Sequence, residues 1–217
     1  MPTAKHDQFE FESALWRSGC RRVAGVDEAG RGPLAGPVVA AAVVLPPGWL
    51  ASNLPAELRG LNDSKQLTEA RREEFFAVLM RLPQLQFAIA SVDAATIDRI
   101  NILQATHRAM NDALAQLTPA PEHALVDGLR VKTLNFPQTP IVKGDARSYS
   151  IAAASVLAKV TRDRMAAEWD CQWPEYGFAG HKGYGTPQHL EAIRKHGPCP
   201  IHRRSFAPLK PAQPNFF

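Results

Sequence analysis

Cysteine is scarce in this chain. Its 217 residues hold three, Cys20, Cys171 and Cys199, an odd number without a CxxC pair, which argues against a disulfide framework and for a reducing compartment. Long apolar runs are missing as well. The longest, residues 38–45, gives way to Pro46 and Pro47, so it is too short for a bilayer and reads as a buried strand. Between Met1 and Arg22, Lys5, Asp7, Glu10 and Glu12 interrupt the apolar residues, leaving no greasy segment for a signal peptide. A soluble, cytoplasmic protein without membrane contact is expected. No internal repeat or low-complexity tract is present, and the length suits one domain, or one with a small appendage, rather than an array of modules.

What is there belongs to a folded chain: 45% hydrophobic and 21% charged residues are ordinary globular values. The net charge of +4 is unevenly spread, with 14 basic and 15 acidic residues in 1–142 against 11 and 6 in 143–217. A basic C-terminal lobe suits a polyanionic partner, although surface solubility accounts equally for so small an excess. No hydrophobic stripe demands a second subunit, so a monomer is expected.

Hydrophobic periodicity gives the coarse organisation. Residues 22–27 and 38–45 read as strands joined by a Gly-rich turn with no room for a helix, hence as antiparallel neighbours. A helix capped by Thr68 runs to about Leu82 with Phe75, Phe76, Leu79 and Met80 on one face, stopped by Pro83. Leu85, Phe87 and Ile89 alternate as in a half-buried strand. A second helix over 95–117 presents Ile97, Ile100, Leu103, His107, Met110 and Leu114 at three- and four-residue steps. Short strands follow at 124–126 and 140–142. The longest helix, about 149–169, is small-sided at 151–155 and so suited to close backbone approach. A short helix capped by Thr186, with Pro187 at its first position, ends at Gly197 before a basic tail. Strands first, then alternating helices and strands, imply a mixed sheet with helices on its faces.

Three of these strands finish in acid: Asp27 with Glu28, Asp127 before Gly128, and Asp145 after Gly144. The rim where strands run out is where α/β folds bind ligands. Four carboxylates gathered there would repel one another unless cations join them. Hard divalent ions such as Mg²⁺ or Mn²⁺ suit all-oxygen ligands and would serve phosphodiester hydrolysis. Each acid taken singly is as readily a turn or helix cap, and spacing alone does not bring the three places together. Gly30, Gly32 and Gly36 resemble a dinucleotide fingerprint, but the third glycine comes one residue late and a strand follows instead of a helix. The pyrophosphate would lack its helix N-terminus, so a dinucleotide-dependent oxidoreductase is disfavoured. What remains is a loop of exposed amides and one guanidinium beside an acid pair, suited to a sugar-phosphate backbone.

The stretch Gly25-Val-Asp-Glu-Ala-Gly-Arg-Gly-Pro-Leu-Ala-Gly-Pro-Val-Val39 resembles the opening signature of ribonuclease HII. Further segments match in the family's order: Leu61-Asn-Asp-Ser-Lys-Gln-Leu67, Ile100-Asn-Ile-Leu-Gln-Ala105, Val126-Asp-Gly128, Val142-Lys-Gly-Asp145, residues 153–163, His181-Lys-Gly-Tyr-Gly-Thr186 and His202-Arg-Arg-Ser-Phe206. The resemblance implies an α/β, RNase H-like fold: a five-stranded mixed sheet flanked by helices, with a C-terminal helical extension. It implies an N-terminal extension over 1–20, a catalytic domain over 21–170 and a segment over 171–217 that completes the substrate site. The implied activity is that of a divalent-metal-dependent endoribonuclease, with Mn²⁺ or Mg²⁺ as cofactor. It would cut the RNA strand of RNA/DNA hybrids, and DNA at embedded ribonucleotides, leaving 3′-hydroxyl and 5′-phosphate ends. Carried over by position, the catalytic and metal-binding acids are Asp27, Glu28, Asp127 and Asp145. Gly30, Arg31 and Gly32 correspond to the loop at the ribonucleotide's 2′-hydroxyl, and Tyr184 to a tyrosine packing on the next sugar. The similar HIII enzymes carry a Gly-Thr-Gly type triplet, so Arg31 favours HII. Residues before about 21 and after 208 match nothing in the family.

Lys65 and Lys159, and more weakly Lys143, Arg162 and Lys182, are candidate phosphate contacts inside matched segments. A solvated helix face explains them nearly as well. Tyr184, alone, would be an ordinary surface aromatic, but two flanking glycines in the basic half favour a substrate role. His196, Cys199 and His202, with His181 and His189 upstream, sketch a zinc site, although Pro198 and Pro200 do not obviously aim the side chains together. His107 is read as a core or rim residue. A non-catalytic nucleic-acid binder on the same fold would be favoured by loss of an acid, and all four are present.

Overall fold

The apolar residues of each strand feed two cores, one on each face of a five-stranded sheet with the spatial order β3-β2-β1-β4-β5. The computed structural model describes residues 7–52 and 54–210. Along the chain come α1 (Glu10–Arg17), β1 (Val23–Ala29), β2 (Val38–Val44), α2 (Trp49–Ser52), α3 (Glu69–Arg81), β3 (Gln86–Val92), α4 (Ala94–Ala115), β4 (His123–Asp127), β5 (Gln138–Ile141), α5 (Tyr149–Gln172), α6 (Phe178–His181) and α7 (Pro187–His196). β1 pairs antiparallel with β2, as the short connection predicts, and parallel with β4, which in turn lies parallel to β5.

Because side chains alternate along a strand, Val39, Ala41 and Val43 face α3 and α5 while Val38, Ala40, Ala42 and Val44 face α4. This explains the uninterrupted apolar run, since a central strand covered on both sides has no wet face. β3, at one edge of the sheet, keeps the expected alternation: Ala88, Ala90 and Val92 are buried in the second core, while Phe87 and Ile89 are only partly covered by the first and Ser91 is exposed. β5 forms the other edge, where Pro140 costs no ladder hydrogen bond. It starts two residues earlier than expected and leaves Val142 outside, 61% exposed.

The caps fall where the side chains foretell them. Thr68, Asp93, Ser148 and Thr186 accept from Arg71, Thr96, Ile151 and His189 backbone N–H groups. α4 departs from the expected face. Asn101 sits at φ 66°, ψ 163°, its Oδ1 accepting from Gln104 N at 3.1 Å, and restarts the helix. Beyond this kink Ala105, Ala109, Met110 and Ala113 turn inward, while Leu103 is 47% exposed and His107 half-buried. One unbroken period of 3.6 cannot register such a break. α1 was not expected as a helix at all. Cys20, Cys171 and Cys199 are free thiols, and among the described residues no helix is long and apolar enough to cross a membrane.

Helix α5 lies against β1 at main-chain distance. A Cβ on Gly25 would stand 2.2 Å from the carbonyl carbon of Ser150 and 2.3 Å from Ile151 N, so the small residues of α5 do bring it against another backbone. Gly25→Ala is expected to cost about 3 kcal/mol, because neither partner is a side chain that can swing away. The exposed helical Gly180, with open space around its Cβ position, should change by under about 1 kcal/mol on substitution to alanine. Urea midpoints of the two variants check the contrast.

Candidate active site

Strand register alone brings two acids together. In the parallel pair Val26 is the partner of Val126, so Asp27 and Asp127, one residue on, are neighbours at the strands' C-terminal ends and point to the α5 face. Asp127 pairs in turn with Ile141 of β5, and the chain leaves that strand into the single turn Gly144–Ala146, which carries Asp145. Gly144 N donates to Asp127 Oδ1 at 2.6 Å, tying the turn to the strand. As a result Asp27, Asp127 and Asp145 each offer a carboxylate oxygen within 4.8 Å of the others. Asp27 and Asp145 are both buried.

Glu28 is the next residue along β1 and points to the opposite face, outside that trio. Its Oε1 meets Arg31 Nη1 at 3.2 Å. The loop after β1 returns over the strand end, so that Asp27, Glu28, Gly30, Arg31 and Gly32 share one cleft with Lys65, Lys159 and Tyr184. Lys65 Nζ reaches Asp145 Oδ2 at 3.7 Å with its side chain largely in solvent, and Lys159 is held by Asp163 at 2.6 Å. Lys143 lines a neighbouring hollow with Asp63, Asp127 and Asp145. His107 lies on the rim of a groove that also reaches Glu28 and Asp127, with Nδ1 3.1 Å from Thr133 Oγ1.

Two buried guanidiniums hold the loop's shape. Arg203 donates to the carbonyl oxygens of Gly30 (2.5 Å), Arg31 (3.0 Å), Pro33 (2.9 Å) and Gly36 (2.8 Å). Arg162 donates to those of Ala35, Pro37 and Lys182 at 2.9–3.1 Å. Neither has a carboxylate partner among these contacts; peptide dipoles replace water around the charge. Burial pushes Arg203 down to about 9, so it stays cationic at neutral pH. Arg162, read above as a phosphate contact, is buried and instead serves the scaffold; Lys182 lends it a backbone carbonyl, and its Nζ lies 3.9 Å from Glu69.

Tyr184, 48% exposed, stands over the Gly32 side of the loop. Its carbonyl ends a chain of imidazoles. Cys199 N donates to His202 Nδ1 at 2.9 Å, His202 Nε2 lies 3.0 Å from His189 Nε2, and His189 Nδ1 is 2.9 Å from Tyr184 O. Those partners assign the tautomers: His202 Nε2–H donates to His189, and His189 Nδ1–H to the Tyr184 carbonyl. Every ring nitrogen of His202 and His189 is used, as are those of His181, so the zinc arrangement that Pro198 and Pro200 argued against finds no imidazole lone pair here. His196 lies apart on the Tyr176 ring. Burial, with His189 close by, lowers His202 to about 4, so it stays neutral near pH 7.

With this geometry established, comparison with known proteins identifies the chain's relatives. The sequence model described as Ribonuclease HII matches residues 24–209. The chain belongs to the ribonuclease HII family. A ribonuclease HII of Geobacter metallireducens is 55% identical over 200 residues, 92% of this chain and 90% of the relative. Among solved structures, ribonuclease H2 from Pyrococcus horikoshii superimposes with a TM-score of 0.70 at 32% identity, covering 87% of this chain and 95% of that one. A Bst-RNase HIII solved in complex with Mn²⁺ shares the fold at 20% identity, with a TM-score of 0.65 and coverage of 96% and 73%. The fold is therefore RNase H-like, as expected, and the enzyme is a metal-dependent endonuclease of the RNase H type that acts on RNA/DNA substrates.

In this ribonuclease HII family member the electrostatics of the trio follow from burial. Asp27 is pushed well above the usual carboxylate range by burial, then by the charges of Glu28 and Asp127. Burial also raises Glu28, against the pull of Arg31. Asp145 is pushed up to about 6 by burial, by Asp127 and by Asp63. Asp63 and Ser155 were not singled out in the sequence. Asp63 shares a hydrogen bond with Asp145 and is itself lowered, its burial outweighed by hydrogen bonds from the Lys65 backbone N–H and from the side chains of Gln66 and Asp145. Ser155 hydrogen-bonds Asp27 and lies 2.8 Å from Ser64 Oγ. Only a serine's position on α5 opposite β1 could have pointed to it. Three crowded carboxylate oxygens, with burial holding Asp27 and Asp145 back from ionisation and Lys65 the nearby cation, fit a hard divalent ion, which would offset their repulsion with the ligand type it prefers.

The raised value at Asp145 has a definite sign. In EDTA, the folded state holds that proton more tightly than the unfolded chain, so its contribution to stability is lost as pH rises from about 4 to about 6. An Asp145→Asn variant should therefore gain in melting temperature relative to the parent across that interval and keep a constant lead above it. A lead that does not change between pH 4 and 7 would contradict the assignment.

Proposed function

We propose that the chain cuts the RNA strand of RNA/DNA hybrids, and DNA at embedded ribonucleotides, by two-metal-ion hydrolysis that leaves 3′-hydroxyl and 5′-phosphate ends. The observation that carries this reading is the trio of carboxylates within 4.8 Å of one another at the strand ends, beside a cleft lined by Gly30–Gly32 and Tyr184. When bound, a pair of Mg²⁺ or Mn²⁺ ions supplies a water of lowered pKa and stabilises the departing 3′-oxygen.

The protein's part is to hold and orient. Asp27 and Asp127, fixed by strand register, would be ligands common to the site. Glu28, on the other side of β1, and Asp145, on its turn, would complete the coordination from either flank. The mobile end of Lys65, over Asp145, and Lys159 are placed to meet phosphates. With its carbonyls occupied by Arg203, the Gly30-Arg31-Gly32 loop can lie against a ribose 2′-hydroxyl at close range. Tyr184, steadied through its carbonyl by His189, offers its ring to the neighbouring sugar. On this reading the C-terminal segment, expected over 171–217, would contribute to the substrate site through Tyr184. The Mn²⁺ carried by the Bst-RNase HIII structure supports a divalent ion of this type, without choosing between Mn²⁺ and Mg²⁺ here.

The direct test is a duplex with one embedded ribonucleotide, incubated with Mg²⁺ or Mn²⁺ and then with EDTA. Cutting 5′ to the ribonucleotide phosphate linkage with a 3′-hydroxyl product, abolished by EDTA, is expected. Asp27→Asn and Asp127→Asn should each slow cleavage by about 10³-fold or more, roughly 4 kcal/mol of barrier, with folding and substrate binding retained. Near parental turnover in Asp27→Asn would refute the assignment. Tyr184→Ala should lower the rate on the lone ribonucleotide about tenfold and affect long hybrids less; equal rates on both substrates would remove its junction role.

A further inference from the structure

The family match begins at residue 24, yet the segment before it is built into the site. α1 buries a carboxylate completely: Glu12 is 0% exposed. Three donors converge on its Oε1, namely Ser148 Oγ at 2.6 Å, Ser150 Oγ at 2.7 Å and Ser150 N at 3.0 Å. Those serines open α5, immediately after the turn that carries Asp145. Ser148 N donates to Gly144 O at 2.8 Å and its Oγ caps α5 at Ile151 N. The flanking contacts run the same way. Tyr149 N donates to Gln8 O at 3.1 Å, Gln8 Nε2 to Ala146 O at 3.4 Å, and the rings of Phe9 and Tyr149 meet edge-on at 4.8 Å. The other oxygen, Oε2, is buried without a hydrogen-bond partner, so α1 bears a desolvation cost to place this carboxylate at the junction.

We propose that Glu12 is a positioning residue that fixes the Gly144–Ser150 junction and thereby sets the affinity of the acid trio for a divalent ion. This rests on the reading of Asp145 as a ligand for that ion. Glu12 touches no substrate and no ligand atom. Residues hydrogen-bonded directly to a ligand shift metal affinity about 10- to 100-fold when removed; Glu12 acts further back, through Ser148 and the Gly144 turn, so an effect at the lower end of that range is expected.

The test is direct Mn²⁺ binding to the full chain without substrate, followed by the electron-spin signal of free Mn²⁺, with cleavage kinetics alongside. Glu12→Ala is expected to weaken Mn²⁺ about tenfold, to recover parental kcat at saturating Mn²⁺ and to leave KM for the duplex unchanged. Glu12→Gln, which keeps an acceptor for the serines, should stay within about threefold. Leu15→Ala loosens α1 on its packing against the cluster of Val23 and Leu125, away from the carboxylate and the junction; matched to Glu12→Ala in melting temperature, it should bind Mn²⁺ as the parent does. Equal weakening in Leu15→Ala would reduce Glu12 to a structural role and overturn the proposal. If Glu12→Ala does not fold, Ser150→Ala removes one of the three bonds and should weaken Mn²⁺ about threefold; parental binding would overturn the proposal. Asp145→Asn separates the two readings. If it leaves Mn²⁺ binding intact, the ligand assignment fails. If it weakens binding while Glu12→Ala does not, only the positioning role fails.

Discussion

Three carboxylates held within 4.8 Å of one another repel, and much of the surrounding structure can be read as what keeps them there. No side chain chosen for stability would be placed so. The register of β1 on β4 sets two of the acids side by side, the turn after β5 brings the third, and Gly144 N, Ser155 and Asp63 bind the individual carboxyls. The cost appears as upward displacement of Asp27 and Asp145. Such opposition between site and scaffold is common where a fold is arranged for a ligand rather than for its own stability.

The same logic governs the loop above the acids. A Gly-rich segment is entropically expensive to order, and here it is ordered from behind by Arg203 and Arg162, which occupy its carbonyls. Two of its own N–H groups, Leu34 and Gly36, donate in turn to Gly183 O and Ile201 O. Both arginines come from elements distant in sequence, one on α5 and one in the C-terminal tail. The tail is therefore bonded into the catalytic loop, and the imidazole chain from His202 through His189 links it further to Tyr184.

Much of this was legible in the residues. Caps at Thr68 and Thr186, the antiparallel start of the sheet and the small face of α5 follow from local chemistry that tertiary context did not override. The three strand-end acids could be named individually, but nothing in their spacing states which strands are parallel neighbours, and only that topology makes them one cluster. The misreadings have physical causes. The face of α4 shifts at an asparagine with a positive φ, and Arg162, which looked like a phosphate ligand, solvates peptide groups. The histidines whose spacing only sketched zinc are spent on one another and on backbone groups. α1 escaped notice because its significance lies in one glutamate whose partners are more than a hundred residues away.

The contact of Gly25 with Ser150 and Ile151 is peptide against peptide. The gap between α5 and the central strand is thus gauged at this point by main chain instead of by interleaved side chains, and only a residue without a Cβ at position 25 keeps it so narrow. Spacing between helix and sheet beside the acid trio therefore hangs on a hydrogen atom where every other residue carries carbon.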